Sequence, residues 1–210
     1  MIKHVIFDFD GTLVKSRDLA VSLFNELSTK YGYRKMSKDE VEYMSTLSIK
    51  ERCKMLGVSW YKLPLIVYDM KSNYNTRINE LIVVEGIKHL LMNLKERKYK
   101  LDIISSNNEE NIRTFLKANN IDVFDNVICT RSLFQKNITI KKLLKRLELK
   151  NSEVLYICDE IRDIPPCKEI GVTSVAVTWG YDARQSLEVE RPDYIINKPT
   201  ELLTILDKEA

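Results

Sequence analysis

The sequence predicts an α/β protein. It reads as a Rossmann-like open parallel sheet with helices on both faces, plus a small all-helical cap domain inserted after strand 1. Three observations predict it. From Val83 onward, short apolar runs alternate with helical spacing, the pattern of a parallel sheet covered by helices. The first apolar run belongs with that sheet, yet a stretch from about Ser16 to Leu81 with no convincing strand separates it from its neighbours. Acids stand just past the ends of two runs, at Asp8/Asp10 and Asp159/Asp163, where open α/β sheets bind ligands. On this reading residues 1–15 and 82–210 form the core, and 16–81 the helical cap.

Strand one covers about Lys3 to Phe9 and runs into Asp10-Gly11-Thr12. Beyond that turn Leu19, Leu23, Phe24, Leu27 and Tyr31 share a helical stripe, which Gly32 stops. Two capping boxes follow, Ser37 with Glu40 and Ser48 with Glu51. A further helix spans about Trp60 to Asn79, with Pro64 in its first turns, where proline is tolerated. Glu85-Gly86 opens an amphipathic helix bearing Ile87, Leu90, Leu91 and Leu94. Leu101 to Ile104 is a strand ending in Ser105-Ser106-Asn107, and Asn107 or Asn108 caps the helix of Ile112, Phe115 and Leu116. Val127 to Cys129 is the next strand. Lys136 precedes a helix with Ile140, Leu143, Leu144 and Leu147 inward; Lys141, Lys142, Lys145, Arg146 and Lys150 form its solvated face. Val154 to Cys158, Thr173 to Val177 and Tyr194 to Ile196 complete the strands, and Thr200 to Leu206 is a closing helix.

Bulk properties narrow the function. A chain of 210 residues buries a real core, and 44% hydrophobic with 30% charged residues describes a soluble globular protein. A net charge of +3 is too near balance to nominate nucleic acid as partner. No apolar run approaches the roughly 18 residues of a membrane span, and the N-terminus enters a strand rather than a signal peptide. Cys53, Cys129, Cys158 and Cys167 form no CxxC pair, so reduced thiols and a cytoplasmic location are expected. With only His4 and His89, a histidine-rich metal site or a histidine-based triad has little material.

Asp8 and Asp10, two apart in a strand, point to the same face. Carboxylates held that close repel unless a cation or proton lies between them. The pair alone leaves two readings open: an acidic turn, or a metal site with nucleophile and acid/base roles. Ser105, Lys136, Asp159 and Asp163 stand at the ends of later elements. Hard oxygen donors of this kind, with no histidine, suit Mg²⁺.

These residues, in this order, resemble the motifs of the haloacid dehalogenase-like hydrolase superfamily. The branch is its phosphatases with a helical cap after the first motif, phosphoglycolate phosphatase-like. Asp8-Phe9-Asp10-Gly11-Thr12 matches the first motif, Ile103-Ile104-Ser105 the second, Phe134-Gln135-Lys136 the third, and Asp159 with Asp163 the fourth. Cys158 stands where relatives have Gly, and Val83-Val84-Glu85 precedes Gly86 where a proline is usual. The resemblance implies Asp8 as nucleophile and Asp10 as acid and base. It implies Gly11, Ser105, Ser106 and Lys136 around the phosphate, and Mg²⁺ on Asp8, Asp10 and Asp159, with Asp163 and Glu160 behind the metal ligands. In the cap, Lys50 and Arg52 either reach a substrate anion or face solvent. Trp179-Gly180-Tyr181 is either a rim of the site or a hydrophobic turn. The implied partner is a small phosphorylated metabolite, with neither nucleic acid nor membrane. A phosphomutase would share every core residue, whereas a dehalogenase would leave Asp10 unexplained. A phosphonate hydrolase would need a cap lysine as Schiff-base nucleophile. A non-catalytic phosphate- or Mg²⁺-binding protein is the alternative from another class.

Overall fold

Strand β1 (His4–Phe7) lies in the middle of the sheet although it comes first in the chain. The computed structural model describes residues 1–130 and 136–209. After β1, the two-residue β2 (Val14–Lys15) leads into α1 (Arg17–Tyr31), α2 (Val41–Ser45), α3 (Ile49–Leu56) and α4 (Leu63–Thr76). The chain returns through β3 (Ile82–Val83), then α5 (Ile87–Glu96), β4 (Lys100–Ser105), α6 (Glu109–Ala118) and β5 (Asn126–Cys129). Next come α7 (Lys136–Arg146), β6 (Val154–Cys158), α8 (Ile164–Ile170), β7 (Thr173–Val177), α9 (Arg184–Glu190), β8 (Tyr194–Ile196) and α10 (Glu201–Lys208). The six-stranded sheet has the order β5-β4-β1-β6-β7-β8, and every pairing in it is parallel.

Both faces of this sheet are covered, which is why its central strands read as unbroken apolar runs. Val5, Phe7, Leu101, Ile103, Leu155 and Ile157 pack on one side, while Ile6, Ile104, Tyr156 and Cys158 alternate onto the other. The helical block has a core of its own, including Leu27, Met44, Leu56 and Ile66. It joins the sheet domain through an antiparallel ribbon in which Val14 pairs with Val83 and Lys15 with Ile82. The chain therefore leaves for the cap and returns from it side by side.

The structure also differs from the sequence reading in places. Strand one stops at Phe7, because Asp8 and Phe9 already belong to the turn. The expected helix near Trp60–Asn79 is α4 flanked by short 3₁₀ turns, Trp60–Lys62 and Ile78–Glu80. Lys136 is the first described residue of α7 rather than preceding it, and Phe134 and Gln135 lie outside the described residues. Asn108, not Asn107, caps α6, accepting from the Glu110 amide at 2.8 Å. Both capping boxes are formed. Among the described residues no helix is long and apolar enough to cross a membrane.

Candidate active site

The parallel register sets Phe7 opposite Ile103 on one side and Ile157 on the other, so the carboxyl ends of β1, β4 and β6 lie side by side. The Asp8 amide continues the ladder by donating to the Ile157 carbonyl at 2.9 Å. This fixes the Asp8 side chain, 3% exposed, at the strand end. Its Oδ1 accepts from the Phe9 amide at 2.7 Å, and its Oδ2 pairs with Lys136 Nζ. Lys136, itself 2% exposed, also donates to Asp163 Oδ2 at 2.5 Å. One buried ammonium thus ties the end of β1 to the turn after β6.

Burial pushes the Asp8 carboxyl above its ordinary range against the pull of Lys136, and Glu160 and Asp10 add repulsion. Burial likewise pushes Asp163 up to about 6, with Lys136 opposing. For Lys136 burial disfavours the charge, but Asp163 and Asp8 outweigh it and keep the ammonium protonated.

The Asp10 carboxylate is held from two directions. The Tyr74 hydroxyl, on α4 of the cap, donates to Oδ1, and Asn107 Nδ2 donates to Oδ2 at 3.0 Å. Burial raises the Asp10 pKa, and these hydrogen bonds to the charged form draw it partly back. Asp159 is fully buried; its Oδ1 accepts from the Thr12 hydroxyl at 3.0 Å and its Oδ2 from the Tyr181 amide at 2.8 Å. Gly11, with φ +74°, and Gly180 press so closely on this carboxyl that a Cβ at either would overlap it. Burial, then Glu160 and Asp8, push Asp159 well above the usual carboxylate range.

The remaining sequence candidates are placed as follows. The Gly11 amide donates within its own turn, to the Val14 carbonyl and Ser16 Oγ, both at 3.0 Å. Ser105 Oγ accepts from the Asn107 amide at 3.1 Å, while Ser106 lines the cavity. Glu160 also lines it and pairs with Arg162, each side chain 14% exposed. Arg52 lines the cavity while paired with Asp182, and its Nε donates to the Met44 carbonyl at 2.7 Å. Lys50 is exposed and borders a neighbouring cleft. Trp179 donates from Nε1 to the Thr12 carbonyl at 3.0 Å, and Tyr181 reaches the cavity wall. Tyr74, Asn107 and Lys71 were not singled out for the site by sequence. Asn107 had one signal, its place two residues after Ser105; Tyr74 and Lys71 had only their place in the expected helix over about Trp60 to Asn79.

Asp8, Asp10, Tyr74, Asn107, Glu160 and Arg162 line one cavity of about 290 Å³ between cap and sheet, while Asp159, Asp163 and Lys136 are buried behind its wall. Asp8, Asp10, Asp159, Glu160 and Asp163 act electrically on one another, with Lys136 and Arg162 as the cations among them. Among the described residues no three side chains already converge as a finished metal cluster. The donor chemistry nevertheless fits Mg²⁺: an excess of buried carboxylates made costly by repulsion, all hard oxygen. Each Asp159 oxygen accepts one hydrogen bond and keeps a lone pair for a cation.

A family model for haloacid dehalogenase-like hydrolases matches residues 5–177. The phosphoglycolate phosphatase of Synechococcus elongatus is 30% identical over 203 residues, covering 96% of both chains. Pyrophosphatase PpaX of Bacillus mycoides is 26% identical over 213 residues, covering 99% of this chain and 98% of its own. Among solved structures, a haloacid dehalogenase-like hydrolase from Streptococcus pneumoniae superposes with a TM-score of 0.81 at 24% identity, covering 98% of both chains. A predicted phosphatase from Clostridium acetobutylicum gives 0.84 at 20% identity, covering 99% of both. The chain belongs to the haloacid dehalogenase-like hydrolases, in the phosphatase branch that carries a helical cap after the first strand.

Proposed function

We propose that the protein is a Mg²⁺-dependent phosphomonoesterase that hydrolyses a small phosphorylated metabolite through an aspartyl-phosphate on Asp8. The observation that carries this reading is the pair Asp8 and Asp10 on one cavity, differently held. Asp8 is braced by Lys136, and Asp10 is gripped by Tyr74 and Asn107. A carboxylate oxygen of Asp8 attacks phosphorus as the ester P–O bond breaks, and Asp10 gives its proton to the leaving alkoxide. Asp10 then takes a proton from water, which attacks phosphorus, releasing inorganic phosphate and restoring the Asp8 carboxylate. Lys136 stabilises charge on Asp8 and on the transferring phosphoryl group, and Asp163 holds Lys136 in place. The Asp8 and Asp159 carboxylates and the Asp10 carbonyl would hold Mg²⁺, which when bound neutralises the phosphate oxygens. We take residues 16–81 as the cap that closes over these groups. The free thiols Cys53, Cys129, Cys158 and Cys167 support a reducing, cytoplasmic setting.

The test is release of inorganic phosphate from a panel of phosphate monoesters, p-nitrophenyl phosphate included, with Mg²⁺. The wild type is expected to turn over, and Asp8→Asn to lose at least about a thousandfold in kcat. Substantial hydrolysis by purified Asp8→Asn would remove Asp8 as nucleophile.

A further inference from the structure

The cavity has two unlike ends. At the sheet end stand Asp8, Asp10, Lys71 and Arg162. The fields of the two cations act on Asp10 and Asp8 respectively, which places both at the acidic end. Among the described residues Lys71 makes no hydrogen bond or ion pair, so its charge is available to a phosphate there.

At the cap end the lining comes from three helices and is apolar. Leu63, Val67 and Met70 recur along α4 at intervals of four and three, one face of a helix. Cys53 and Leu56 on α3 and Leu23 on α1 face the same space. Arg52, the remaining cation of the wall, is already committed to Asp182. A second anion pushed into this end would lose its water and gain no partner, whereas hydrocarbon would lose nothing. The size, about 290 Å³, is near the lower limit of small-molecule sites.

We infer that the cap end is the subsite for the organic part of the substrate, and that this part is apolar. The substrate class is a phosphate monoester of a short aliphatic or aromatic alcohol rather than a compact molecule with a second anionic group. The inference rests on the phosphatase reading and goes further by giving the ester its chemistry. It also separates this chain from what the names of its relatives say of them, phosphoglycolate and pyrophosphate.

The experiment is a chain-length series with the purified full-length protein and Mg²⁺: ethyl, butyl and hexyl phosphate beside phosphoglycolate and pyrophosphate. Each methylene that enters the cap end is expected to raise kcat/KM about fourfold, with hexyl phosphate above both compounds that carry a second anionic group. Val67→Trp fills the space and is expected to flatten the series. Calorimetric binding of ethyl and hexyl phosphate to Asp8→Asn gives a readout without turnover. A flat wild-type series, or a higher kcat/KM for phosphoglycolate or pyrophosphate, overturns the apolar subsite and leaves the phosphatase standing. Tighter binding of hexyl phosphate with no hydrolysis by the wild type keeps the subsite and overturns the phosphatase.

Discussion

Lys136 is a single cation serving two buried carboxylates, and its removal has a sign that can be worked out. Lys136→Met leaves Asp8 and Asp163 without their paired ammonium, with only the more distant Arg162 as counter-charge, a change expected to cost about 3–5 kcal/mol of stability near neutral pH. Asp163 already sits up at about 6, chiefly through burial, and Lys136 is what holds it from rising further. A carboxyl raised on folding favours the fold below its unfolded value, and that advantage is lost as pH rises through its folded value. Without Lys136 the folded value moves higher, so protonation relieves the repulsion over a wider range. Urea unfolding should therefore show a smaller deficit for Lys136→Met at pH 5 than at pH 8. An equal deficit at both would mean that the lysine acts through packing alone.

On the proposed function the strand ends carry the chemistry, and the turns that follow shape it. Gly11 after β1 and Gly180 after β7 close on Asp159 from two sides, so the carboxyl occupies space that a side chain would fill. Gly180→Ala should cost roughly 1–3 kcal/mol by overpacking and lower turnover by displacing Asp159; thermal unfolding and phosphate release measure the two effects. Most of this framework was legible in the sequence, because β6, β7 and β8 are apolar runs bounded by polar turns and appear where the pattern put them. Two-residue strands such as β2 and β3 offer no period to detect, and α8 and α9, seven residues each, are too short for a stripe. Asp8 and Asp159 were visible because register sets the ends of β1 and β6 side by side, and Asp10 and Asp163 because they stand in the turns just beyond those ends. Tyr74 was not, since packing of α4 over the sheet, across 64 positions of sequence, carries it to Asp10.

Cap and core meet through polar contacts, the first of them at the site itself: Tyr74 on Asp10, Arg52 on Asp182, and Asn111 Nδ2 on Asn75 Oδ1 at 2.5 Å. On the proposed mechanism the first would couple closure to proton chemistry, because the cap donates a hydrogen bond that favours ionised Asp10. Tyr74→Phe deletes that bond, so the Asp10 pKa should rise and the alkaline limb of kcat/KM should move to higher pH. A pH–rate profile decides it, and an unmoved limb would confine Tyr74 to packing. The central place of β1 has a consequence of another kind, in the order of assembly during synthesis. Its two neighbours, β4 and β6, end at Ser105 and Cys158, so β1 waits through about 150 residues of further chain. At roughly 5–20 residues per second that wait is on the order of ten seconds. The helical block depends on contacts close in sequence and is fully synthesised well before β6 emerges. Strand β1 is thus made first yet gains its second neighbour only when β6 emerges, and meanwhile an edge of Val5-Ile6-Phe7 stands open to any other strand it meets.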